Sequence, residues 1–160
     1  MQNIKISGIA EQLRCLQKGG NWLEENFNKK LQSLDADDAF KQPIPGVHSV
    51  AEIVWHCIYW HRVNIQRMTG NPGFRDATID EQNFLPLAKL REVGWLSLLH
   101  ELDKSFSDLQ AVIQDRDDSF LDREYEPGKC FSFILYGTIE HDAYHLGQIG
   151  LVLKILNSYQ

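Results

Sequence analysis

Cysteine is scarce: Cys15, Cys57 and Cys130 are the only three, an odd number with no CxxC spacing. That argues against a disulfide framework and for a reducing compartment. Apolar runs are short, and none approaches the roughly 18 residues that a bilayer-spanning helix needs. The N-terminal stretch MQNIKISGIAEQLRC lacks both a long apolar core and a small-residue cleavage site, so no signal peptide is expected. Basic residues are outnumbered, with 16 Lys and Arg against 22 Asp and Glu and a formal net charge of -6. An acidic chain has no electrostatic footprint for nucleic acid or an anionic membrane. The expectation is a cytoplasmic protein that partners neither. Strand-like alternation of useful length, internal repeats and low-complexity tracts are missing. So are a Ser–His–Asp signature, a phosphate loop and a dinucleotide fingerprint.

What is present is apolar material at helical spacing. The 160 residues are 43% hydrophobic and 24% charged, enough for the core of one domain spanning 1–160. Four segments carry the period. The first runs from about Ser7 to Leu34, interrupted at Gly19-Gly20 by a kink or a split into two shorter helices. Residues 35–47, with Pro43, Pro45 and Gly46, read as a connection. The second helix starts at a capping box, Ser49 with Glu52 three residues on, and continues to about Met68. Thr69 to Gly73 ends it. A polar connection from Phe74 to about Pro86 follows, long enough to suggest that it edges a site. The third helix spans about Leu87 to Ile113, with Leu99, Leu102, Phe106, Leu109 and Ile113 forming a seam. The fourth runs from about Phe131 to Asn157. Long helices with intervening loops predict an all-α fold, a four-helix bundle whose topology is either simple up-down or a crossover form.

The chemistry sits on the fourth helix. Ile134, Thr138, His141, His145, Gln148, Val152 and Ile155 follow one another at steps of four and three, so both histidines lie on the inward stripe. Residues four apart differ by only about 40° around a helix, and two such imidazoles can reach one metal ion. The competing reading is a chance pair on a solvated face. Position on the seam favours the metal, because burying two neutral imidazoles without partners is costly. A third ligand fits His56, which shares a stripe with Ile53, Trp60 and Val63 on the second helix. His61 is about 140° round from His56 and is expected to point elsewhere. His48 and His100 are read as non-ligands. Three neutral nitrogens suit zinc, nickel, iron, cobalt or manganese, and leave a coordination position open for water or substrate. Glu52 could orient His56, but the capping box is its expected role. The cysteines are read as inert thiols, and the four tryptophans as core or interface residues, with Trp60 a candidate wall of the site.

These residues carry a resemblance. His48-Ser49-Val50-Ala51-Glu52-Ile53-Val54-Trp55-His56 and His141-Asp142-Ala143-Tyr144-His145-Leu146-Gly147-Gln148-Ile149-Gly150 resemble the DinB-like superfamily of DNA-damage-inducible bacterial proteins. The resemblance implies a four-helix bundle, often a homodimer, whose divalent metal (zinc or nickel foremost) is held by His56, His141 and His145. Related branches are thiol S-transferases that use bacillithiol, mycothiol or glutathione, so a low-molecular-weight thiol and a small electrophile are the implied substrates. Where many members have Trp before the capping serine, this chain has His48. The rival expectations are a metal-dependent hydrolase and a non-catalytic metal-binding or stress-response module.

Overall fold

The computed structural model describes residues 3–158. In chain order its helices are α1 (Ile4–Lys18), α2 (Phe27–Leu31), α3 (Ala36–Ala39), α4 (Val50–Thr69), α5 (Ile79–Gln82), α6 (Leu87–Val93), α7 (Trp95–Gln114) and α8 (Phe131–Ser158). A 3-10 turn at Asp118–Asp122 and a small hairpin, β1 (Glu124–Glu126) with β2 (Lys129–Cys130), precede α8. The all-α bundle expected from periodicity is what forms, with α1, α4, α7 and α8 as its long members.

Two expected helices are divided. The first stops at Gly19, which with Gly20 adopts a positive φ that side chains resist, and no helix resumes until Phe27. Gly94, also at positive φ, splits the expected Leu87–Ile113 helix into α6 and α7. The start of α4 follows the capping box. Ser49 Oγ accepts from the Glu52 amide, while Glu52 Oε2 accepts from the Ser49 amide at 2.8 Å. Both residues are buried. Ser49→Ala is expected to destabilise the protein by about 1 kcal/mol, measurable by urea denaturation; no change would mean that the cap contributes nothing.

The crossover topology wins. Gln17 and Gln110 tie α1 antiparallel to α7 through Asp103 and the Ala10 carbonyl. His61 with Ser105 and Met68 beside Leu109 and Ile113 set α4 parallel to α7. Asn64 with Thr138 and His61 with Asp142 set α8 antiparallel to α4. Neighbours around the bundle are therefore α1, α7, α4 and α8. Parallel neighbours cannot be joined by a tight turn, which is why residues 70–94 must run back along the bundle.

The core has two apolar clusters. One gathers Phe27, Val54, Leu98, Phe106 and Leu146; the other gathers Ile9, Leu13, Met68, Leu109 and Leu135. Between them lies a buried polar layer of His61, Asn64, Ser105, Thr138 and Asp142. Such a layer is tolerated because its groups bond one another. Trp95 is buried and donates to the Leu34 carbonyl, but Trp22 is 93% exposed, so the core reading fails for that tryptophan.

Candidate metal centre

α4 and α8 bring His56, His141 and His145 together, with ligand-type nitrogens all within 4.8 Å of one another. His56 and His145 are buried and His141 is half-buried. His56 Nε2 stands 3.0 Å from His141 Nε2. The His145 ring centroid lies 4.6 Å from that of His56 and 4.3 Å from that of His141.

Each outer nitrogen faces an oxygen. His56 Nδ1 is 3.3 Å from the Asn83 carbonyl, and His145 Nδ1 is 2.6 Å from Gln148 Oε1. His141 Nδ1 is 3.5 Å from Asp142 Oδ1, at the limit of a hydrogen bond. With Nδ1–H donating outward, each ring keeps a lone pair on Nε2. Two such lone pairs 3.0 Å apart repel unless a cation lies between them. Nitrogens sharing a tetrahedral ion at the usual bond length of about 2.0–2.1 Å sit a little over 3 Å apart. The donor set therefore fits a divalent transition metal, and its outer shell is the kind that fixes ligating imidazoles. Burial, then the neighbouring His145 and His141, pushes His56 down to about 4, although the Asn83 backbone and side chain oppose this. His145 is lowered by burial first and by His141 second. Both rings are thus neutral at pH 7, the form that binds metal.

The long connection does edge the site. Phe84 stacks on His56 at 4.2 Å and on His48 at 4.0 Å, and Trp55 donates to the Gln82 carbonyl. Trp60 sets its ring edgewise near both His56 and His141. Glu52 does not meet His56. It serves the cap and faces His48 Nδ1 at 3.2 Å. The acceptor for His56 is instead the Asn83 carbonyl, which periodicity could not find because it belongs to irregular backbone. Among the described residues, the buried Asn83 Oδ1 atom has no hydrogen-bond partner.

His61 points away from the cluster, as its helical phase predicts, but it is not idle. It is fully buried, with Nε2 at 2.9 and 3.0 Å from the two Asp142 oxygens and Nδ1 at 2.8 Å from Ser105 Oγ. Burial raises the Asp142 carboxyl, but the His61 charge and hydrogen bonds from His141 and His61 outweigh it and hold it below the usual range. An ionised carboxylate thus stands directly behind His141. The signal was visible as the aspartate of His141-Asp142, but its partner lay on another helix. His48 stays half-exposed beside Phe84, and His100 is exposed.

Cys57, His141 and Asp142 form a second group of ligand-type atoms within the same reach. Its chemistry is poorer, because burial pushes the Cys57 thiol well up and Asp142 is engaged by His61. Clefts flank the histidines on both sides. One, of about 220 Å³, reaches from His141 past Trp60 and Asn64 to Arg67. The other, of about 260 Å³, lies between Val47, His48, Gln148 and Leu151. No helix among the described residues is long and apolar enough to cross a membrane.

No curated protein and no solved structure matches this chain. The family pattern described as the DinB superfamily matches residues 21–149, a span that takes in α4, the crossover and both histidines of α8. With that match covering most of its length, the chain belongs to the DinB superfamily.

Proposed function

We propose that this chain binds one divalent transition metal, zinc or nickel, through His56, His141 and His145 and joins a low-molecular-weight thiol to a small electrophile. The observation that carries the reading is the convergence of three imidazoles whose outer nitrogens each face an oxygen. Bound there, a divalent metal lowers the pKa of a thiol brought to it and makes thiolate available at neutral pH. Overall, the thiol sulfur bonds to the electrophilic carbon, the carbon's bond to its leaving group breaks, and the thiol proton is released with that group. The chain's own part is positional. Asn83, Asp142 and Gln148 hold the three rings, while Trp60 and Phe84 shield them from water. Two clefts, one on each side, suit a reaction of two substrates. Three histidines bring no charge of their own, and Asp142 is taken by His61, so an anionic ligand such as thiolate is favoured.

Hydrolysis would need a base beside the attacking water. The nearby carboxylates of Glu52 and Asp142 are committed to the helix cap and to His61. The test is a screen of bacillithiol, mycothiol, glutathione and coenzyme A against alkyl electrophiles, using protein loaded with zinc or nickel. Turnover should require metal, vanish in His145→Ala, and survive Cys15→Ser/Cys57→Ala/Cys130→Ser. Turnover of esters or amides without thiol conjugation would establish the hydrolase. If neither substrate class turned over, the non-catalytic metal-binding or stress-response module would be the function.

A further inference from the structure

The two clefts beside the histidines differ in charge. The cleft of about 220 Å³ is a trough between α4 and α8, and among the described residues Arg67 is the one lysine, arginine, aspartate or glutamate that lines it. None lines the cleft of about 260 Å³, where Val47, Ile53, Leu151 and Val152 form an aliphatic wall. Arg67 is half-buried near the end of α4. Its Nε donates to the Phe74 carbonyl at 3.1 Å, which orients the guanidinium. Among the described residues its two terminal nitrogens have no hydrogen-bond or ion-pair partner. Glu126, next to Tyr125 of the cleft wall, is taken by Arg75 at 2.8 Å and Lys129 at 3.5 Å. A chain of net charge -6 thus keeps an unpaired cation at the wall of this cleft. The planar fork of a guanidinium matches a carboxylate.

Spacing limits what can lie in the trough. Trp60, Asn64 and Arg67 follow one another at steps of four and three, so they share one face of α4. Trp60 stands beside His56 and His141. Arg67 lies seven residues further on, about 10.5 Å along the helix. Antiparallel α8 walls the same length from His141 through Thr138 and Gly137 to Ile134. A ligand with one end at the histidines and the other at Arg67 is therefore about 10 Å long, the reach of three extended residues. Gly137 keeps the trough open. Glycine weakens a helix interior relative to alanine. The φ of Gly137 is not positive, and a Cβ built there would meet nothing within 4 Å. Packing within the chain does not require glycine at this position, whereas a larger side chain would enter the cleft.

We propose, resting on thiol transfer as the reaction of this site, that the thiol lies in the trough between His141 and Arg67, that it bears a carboxylate, and that Arg67 binds this carboxylate and so selects it over neutral thiols. The aliphatic cleft is left to the electrophile. The test is isothermal titration calorimetry of zinc-loaded protein with glutathione and bacillithiol, which carry carboxylates, and with mycothiol, which carries none. Wild type should bind one of the first two more tightly than mycothiol. Arg67→Gln, which keeps a donor for the Phe74 carbonyl, should weaken that binding about tenfold or more, since a hydrogen bond between charged groups is lost. It should leave mycothiol binding as it was. Gly137→Leu should weaken every thiol by filling the trough. Zinc content and circular dichroism should be unchanged in both variants. Equal binding of the carboxylate thiols by wild type and Arg67→Gln would overturn the proposal and leave thiol transfer standing. So would tighter binding of mycothiol by wild type, or a Gly137→Leu chain that binds thiols as wild type does. If no thiol bound zinc-loaded wild type, thiol transfer itself would fall, and the role of Arg67 with it.

Discussion

Metal content should fall from about one divalent ion per chain to near zero when His56, His141 or His145 is replaced by alanine. Loss of an outer-shell partner typically weakens a site about 10–100-fold, and loss of a ligand should exceed that. His100→Ala, at an exposed position on α7, should leave the content unchanged. Elemental analysis after dialysis decides the matter, and a His141→Ala chain that still holds its metal would break the assignment. Acid should release the ion, since protons compete for the same nitrogens. The metal-free chain carries its own pH signature. His56 titrates near 4 when folded and His145 is also lowered, against about 6.5 in an unfolded chain. Between those values the unfolded state binds more protons, so stability is complete above about pH 6.5 and is lost as pH falls toward about 4. Urea denaturation of metal-free protein at several pH values should show that slope.

The largest stability effect is expected at a residue outside the candidate ligand set. His61→Ala removes the closest partner of a fully buried carboxylate, leaves Asp142 with only the 3.5 Å contact to His141, and vacates the space against Phe106. Breaking one side of a buried ion pair costs about 3–5 kcal/mol, which for a domain of ordinary stability can unfold much of the population. From helical phase alone His61 reads as a bystander whose loss should leave the metal in place. The structure changes that expectation, because His61 holds the carboxylate that faces His141 Nδ1. His61→Ala/Asp142→Leu, which removes both partners together, should recover much of the lost stability. A single variant as stable as wild type in thermal or urea unfolding would show that the pair contributes nothing.

The sequence by itself determined the helices whose signals are local. Ser49 and Glu52 lie three residues apart, close enough to bond within one turn, so the start of α4 needed no tertiary information. The steps of four and three through His141 and His145 placed both rings on one face, because helical phase is a property of spacing alone. His56 followed from the same arithmetic on α4. The breaks at Gly19-Gly20 and Gly94 were less legible, since a glycine tolerates helix as well as positive φ and only its surroundings choose. Tertiary structure decided everything that joins distant segments. It laid α4 parallel to α7 and so stretched residues 70–94 along the bundle, delivering the Asn83 carbonyl and the Phe84 ring to His56. It also brought Asp118 across to accept from the backbone at Lys5 and Ile6, where α1 has no side-chain cap of its own. Finally, it turned His61 from a non-ligand into the partner of Asp142. Periodicity reports which way a side chain faces, but what waits there is set by the packing of a helix 81 residues away in sequence.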